Sequence, residues 1–143
     1  MSDSIDASIL LYASDQTSPR HRAAREFLAR RAADPEPFCL TCPVVMAYLR
    51  IATHPRIFQN PLSPDEALGN IEALLACPQV RVLTEEEGFL QAYREATGHL
   101  KVRGNLIPDA HVAALLRQHD VRLYTFDADF KKFPFLDIRN PFA

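Results

Sequence analysis

The chain has 143 residues, 48% of them hydrophobic, with 16 Lys and Arg against 18 Asp and Glu for a formal net charge of −2. That length suits one domain over residues 1–143, able to bury roughly 68–70% of the surface its unfolded chain exposes and so to hold a core without staples. The charge excludes a bulk polyanion binder, which leaves a local basic patch for any nucleic-acid contact, and no run of about eighteen apolar residues is present to cross a membrane.

Residues 2–6 read as a short first strand. The start Met1-Ser2-Asp3-Ser4-Ile5-Asp6 lacks the basic stretch and apolar region of a signal peptide, so a cytoplasmic location is expected. A helix follows over 6–13, capped by Asp6 or Ser8, with a continuous apolar run that implies burial on several sides. Residues 14–19 form a loop, and Pro19 suits the first turn of a helix over 20–33. The outer face of that helix carries Arg20, Arg22, Arg25, Arg30 and Arg31, either a solvated face or one that meets RNA or a partner. Asp34-Pro35-Glu36-Pro37 breaks it.

A second strand is expected over 38–40. Pro43 then opens a helix over 44–53, which His54-Pro55 stops. Cys39 and Cys42 have the spacing of a redox pair or half a zinc site. They lie in an apolar run with no second pair, and buried structural thiols are expected. Ser63-Pro64-Asp65-Glu66 is a helix start, with Ser at the cap, Pro at the first position and acids in the first turn. That helix runs to about 76. A third strand spans 80–83, and Thr84 with Glu85-Glu86-Glu87 predicts the start of a helix ending near Gly98. Asp109, after the turn pair Gly104-Asn105, stands at the mouth of a helix to about His119. A fourth strand covers 121–125, a turn with a short helix follows from Phe126, and residues 137–139 form an edge strand.

Strands alternate with helices, which predicts an α/β fold with a mainly parallel sheet. In such sheets, residues just past the carboxyl ends of strands converge on one crevice. Asp6 follows the first strand, Asp127 follows the fourth, and Asp109 opens the helix between. Three acids from distant parts of the chain at one edge read as a metal site. Two carboxylates about 4 Å apart repel by about 4 kcal/mol at an effective dielectric near 20, which a hard cation such as Mg²⁺ relieves through oxygen ligands. The chemistry that follows is metal-assisted hydrolysis of a phosphodiester. No Ser or Cys is visibly paired with a His and an acid.

Four segments, in order, carry a resemblance: Ile5-Asp6-Ala7-Ser8 with Leu10-Leu11-Tyr12-Ala13; Pro43-Val44-Val45-Met46-Ala47-Tyr48-Leu49-Arg50-Ile51-Ala52-Thr53-His54-Pro55-Arg56-Ile57-Phe58; Arg103-Gly104-Asn105-Leu106-Ile107-Pro108-Asp109-Ala110-His111; and Thr125-Phe126-Asp127-Ala128-Asp129-Phe130. Together they resemble PIN-domain ribonucleases of the VapC toxin type over essentially the whole chain. The resemblance implies a three-layer α/β/α sandwich around a parallel sheet. It implies a Mg²⁺- or Mn²⁺-dependent endoribonuclease toxin of a type II toxin–antitoxin system. It also implies a homodimer held inactive by a VapB-type antitoxin whose tail enters the acidic crevice. Asp6, Asp109 and Asp127 fall on the family's acidic positions as catalytic and metal-binding residues. Asp129 matches the second acid of the last motif, as a further ligand or as a cap of the short helix.

One position departs from the pattern. Many relatives carry Glu on the helix after the second strand, where this chain has Ala47. Three explanations stand: three acids suffice; Asp3 or Asp129 substitutes; or the chain is a silenced form. Arg50 and Arg103, with Lys101, Arg56, Lys131 and Lys132, are candidates to hold RNA phosphates. Asn105 and Thr125 either meet substrate, position a ligand carboxylate or serve as turn and cap residues, and His111 reads as a helix-face histidine. The rivals are a receiver domain, which lacks its acid directly after the third strand; a PIN-like domain that binds RNA or antitoxin without cutting, favoured by Ala47; and a redox protein using Cys39 and Cys42.

Overall fold

Five short strands lie side by side in the computed structural model, which describes residues 2–142; Met1 and Ala143, the ends of the domain expected over 1–143, lie outside the described residues. They are β1 (Asp3–Ile5), β2 (Phe38–Thr41), β3 (Val80–Leu83), β4 (Arg122–Tyr124) and β5 (Ile138–Arg139), in the order β3-β2-β1-β4-β5. Every pairing is parallel. Around them run α1 (Ala7–Ser14), α2 (His21–Ala33), α3 (Cys42–Ala52), α4 (Pro64–Leu75), α5 (Phe89–Thr97) and α6 (Leu106–His119), with a 3₁₀ turn at Ala128–Lys132. Every residue of β1 and β2 is buried, as befits parallel strands covered on both faces.

The chain winds from β1 outward to β2 and β3, then returns past β1 to β4. The first two crossovers bring α1 against α2 and α3, and α3 against α4; the return crossover pairs α5 with α6. The result is the three-layer arrangement expected. Helix α6 buries Ala110 and every residue from Val112 to Leu116, so it is apolar nearly all round and lies in the core rather than on it. Tyr48, 1% exposed, joins three helices: its hydroxyl meets Ser14 at 2.7 Å and accepts from Asn70 at 3.0 Å.

Four expectations need correction. Helix α5 starts at Phe89 after Gly88, whose φ is +77°, and not at Thr84. Tertiary pairing overrides the first-turn preference of the acids: Glu85 takes His111 at 2.7 Å, the Glu86 N–H donates to Gln118, and the Thr84 carbonyl takes His119. Helix α6 starts at Leu106, one turn earlier than Asp109. Pro108 is tolerated inside its first turn because N–H groups there have no partner within the helix. Cys39 is buried but Cys42, the first residue of α3, is exposed, so the pair is not two buried thiols.

Asp3 does not replace the missing acid beside Ala47. It begins β1 at the edge opposite the crevice, and its buried carboxylate accepts from Arg31 and Arg122, each at 2.7 Å. Removing one partner of a buried pair strands the others. Asp3→Ala is therefore expected to cost about 3 kcal/mol of stability, read as a lower urea midpoint.

Candidate metal centre

β1 is the strand at which the winding reverses, with β2 on one side and β4 on the other. Such a switch point opens a crevice at the carboxyl ends of the strands. Asp6 leaves β1 there. Ile5 pairs with Tyr124, which sets Asp6 beside Thr125 and two residues from Asp127. From the far side α3 and α6 close over the gap. The cavity of about 240 Å³ is lined by Asp6, Ser8, Ala47, Asp109 and Asp127, with apolar walls that include Val44, Ile51, Val112 and Phe130.

The carboxylates are held by neighbours. Ser8 donates to Asp6 Oδ1 and Thr125 donates to Asp6 Oδ2, both at 2.7 Å. The same Thr125 hydroxyl accepts from the Asp127 N–H at 2.9 Å. Asp127 Oδ1 accepts from the Asp129 N–H at 2.9 Å, so Asp127, rather than Asp129, caps the 3₁₀ turn. One carboxylate oxygen each from Asp109, Asp127 and Asp129 lies within 4.8 Å of the others. Asp6 lies outside that trio but on the same cavity wall. Lys132 pairs with Asp129 at 3.3 Å and partly offsets the charge on Asp109.

Burial pushes the Asp6 carboxyl up despite its hydroxyl partners, and the Asp127 charge adds to the rise. Asp109 is pushed up to about 6, by burial first and then by Asp127, Asp129 and Asp6. In the metal-free protein this shift has a sign. The folded chain holds the Asp109 proton more tightly than the unfolded chain, whose value is 3.8, so stability falls as pH rises from 3.8 to about 6 and the loss is complete above that. Asp109→Asn is expected to stabilise the EDTA-treated chain by about 1 kcal/mol at neutral pH, after discounting for solvent screening, and to change little below pH 3.8. Urea unfolding at the two pH values reads it.

A hard cation fits this donor set. The ligand atoms are all carboxylate oxygens, and their mutual repulsion is what a divalent ion relieves. The Thr41 hydroxyl, at the carboxyl end of β2, is 1% exposed and without a hydrogen-bond partner. Thr125 acts on the carboxylates, since its buried hydroxyl is committed to Asp6 and the Asp127 backbone. Thr125→Val is expected to weaken Mg²⁺ binding about 10–100-fold, the range for residues that orient metal ligands, read by calorimetric titration.

The remaining candidates lie outside the cavity lining. Arg50, Arg103 and Asn105 are exposed and do not line the cavity; Asn105 takes the cap position of α6 without a side-chain cap bond. His111 pairs with Glu85. Sequence reasoning missed Ser8 as an Asp6 partner, having placed it only as a helix cap, and missed the effect of Lys132 on Asp109. The spacing Asp6-x-Ser8 was the available signal for the first. A larger groove of about 460 Å³ lies elsewhere, between α1, α2, α3 and α4, lined chiefly by Leu10, Leu28, Ile71 and Leu74, with Arg25 at its wall.

Residues 4–136 match the model of the PIN domain family. The chain is 40% identical over 144 residues to a Mycobacterium tuberculosis protein named Ribonuclease VapC48, covering 100% of this chain and 99% of that one. It is 33% identical over 137 residues to Ribonuclease VapC43 of the same organism, covering 96% and 93%. Among solved structures, VapBC2 from Rickettsia felis, bound to a DNA fragment from its promoter, superposes with a TM-score of 0.71 at 15% identity, over 98% of each chain. Mycobacterium tuberculosis VapC20, described as a Sarcin-Ricin loop cleaving toxin, gives 0.68 at 19% identity, over 96% of this chain and 98% of that one.

Proposed function

The chain belongs to the VapC ribonucleases of the PIN domain family, and from that premise we propose that it is a Mg²⁺- or Mn²⁺-dependent endoribonuclease toxin, folded as a single domain over residues 1–143. One observation carries the metal-dependent reading: Asp109, Asp127 and Asp129, drawn from two distant segments, bring carboxylate oxygens within 4.8 Å of one another beside Asp6. In this reading Asp109, Asp127 and Asp129 supply the oxygen ligands, and Asp6 completes the wall, its carboxylate kept in one orientation by Ser8 and Thr125. When bound, the cation supplies positive charge and Lewis acidity to water attack on a phosphodiester. In the same reading the exposed Arg50 and Arg103 hold substrate phosphates, and Asn105 contacts substrate at the mouth of α6.

The partners follow the same premise. Solved structures of similar fold include VapBC assemblies, and we assign this chain a VapB-type antitoxin whose tail enters the acidic crevice, a homodimeric state and a cytoplasmic location. No helix among the described residues is long and apolar enough to cross a membrane. Incubating labelled RNA with the purified chain tests the activity. Cutting with Mg²⁺ or Mn²⁺ that stops in EDTA is expected; cutting that persists in EDTA would overturn the metal-dependent reading.

Ala47 favours a second reading. It lines the cavity beside three acids and offers only a methyl group. Under that reading the chain binds RNA or antitoxin without cutting.

A further inference from the structure

The acidic crevice repels an RNA backbone, so the chain needs cations beside it that are not already neutralised. Several charged side chains are already paired: Arg31 and Arg122 with Asp3, Arg22 with Glu26, Arg139 with Asp137, and Lys132 with Asp129 of the cluster itself. Arg20 differs. Its guanidinium lies 4.3 Å from the centroid of Phe126 and 5.3 Å from that of Tyr12, and its Nη1 donates to the Tyr12 hydroxyl at 3.1 Å. Phe142 packs against Phe126 with centroids 4.7 Å apart, which buttresses the platform. Among the described residues, Arg20 is the arginine that sits over two rings and makes no ion pair.

The place matters as much as the posture. Phe126 stands between Thr125, which holds Asp6, and Asp127. Tyr12 lies one turn along α1 from Ser8, which also holds Asp6, and residues four apart share a helix face. The platform does not line the cavity itself, but the chain ties both of its rings to the residues that hold Asp6, Tyr12 to Ser8 and Phe126 to Thr125. A guanidinium fixed by a ring face and one in-plane hydrogen bond keeps its other N–H groups free and loses little entropy when it binds. An exposed planar cation with unused donors suits a phosphate.

The geometry points to Arg20, stacked on Phe126 and bonded to Tyr12, as a phosphate-binding residue that holds the RNA backbone beside the acidic cluster. The inference rests on the proposed ribonuclease reading. Fluorescence anisotropy of a short labelled single-stranded RNA, in EDTA over a salt series, tests it on the full chain. Arg20→Gln is expected to weaken binding about 10-fold and to flatten the salt slope by about 0.7, the loss of one phosphate contact on a single strand. The loss should be equal for purine-rich and pyrimidine-rich strands, because a phosphate contact carries no sequence information. Tyr12→Phe, which deletes only the hydroxyl, should give a smaller loss in the same direction.

Unchanged affinity and slope in both variants would overturn the inference, as would a loss confined to one base composition, or an untreated chain that binds no RNA. Cleavage by the unsubstituted chain with Mg²⁺ or Mn²⁺ is scored separately. Cutting with an indifferent Arg20 sinks the inference and leaves the nuclease standing. A salt-dependent Arg20 effect without cutting sinks the nuclease and leaves a phosphate-binding residue.

Discussion

Asp127→Asn is expected to lower RNA cleavage by more than about 100-fold, beyond the 10–100-fold typical of residues that merely support a metal ligand. Asp127 joins more of the site than any other acid. It contributes an oxygen to the trio with Asp109 and Asp129, raises the carboxyl of Asp6 by its charge, and caps the 3₁₀ turn that carries Asp129. Asparagine keeps the cap, because its side-chain oxygen can still accept from the Asp129 N–H. The folded state should therefore survive while the negative charge is lost. Single-turnover cleavage measured beside circular dichroism separates the two effects. A variant that folds and cuts at the original rate would remove Asp127 from the site.

Ala47→Glu is the second large expectation, and its direction is opposite. The methyl group lies on the cavity wall among Asp6, Asp109 and Asp127, so a longer acid has a direct path to the cluster. In the metal-free protein a fourth carboxylate adds repulsion and should lower the melting temperature. With Mg²⁺ or Mn²⁺ present it adds a ligand, and cleavage is expected to rise about 10-fold or more. The crossing of these two effects, less stable in EDTA and more active with metal, is the diagnostic. A variant that is less stable under both conditions and no faster would show that the cavity has no use for a carboxylate there.

The acids were legible because strand–helix alternation puts Asp6 and Asp127 at one sheet edge, whatever the details of packing. Their ranking was not. Asp129 lies within the close trio, whereas Asp6 stands to the side with both oxygens hydrogen-bonded, and that depends on how the 3₁₀ turn folds back. Asp3 looked available because charge alone does not reveal two arginines arriving from α2 and β4. The glutamates before α5 signalled a helix-start preference worth only a few tenths to about 1 kcal/mol, too little to prevail over contacts with His111, Gln118 and His119. Pro108 hid the first turn of α6, since a proline there marks a helix start as readily as a break. The Arg20 platform was invisible because Tyr12, Arg20, Phe126 and Phe142 are brought together only by the tertiary fold.

On the proposed function, RNA is hydrolysed in this crevice, where Asp109, Asp127 and Asp129 would hold a divalent cation. Mapping newly formed ends in total cellular RNA, after treatment with the purified chain and Mg²⁺ or Mn²⁺, tests it most directly. Discrete new ends that vanish in EDTA and with Asp109→Ala are expected. Absence of such ends from both the original chain and Ala47→Glu would contradict it and leave a protein that binds without cutting.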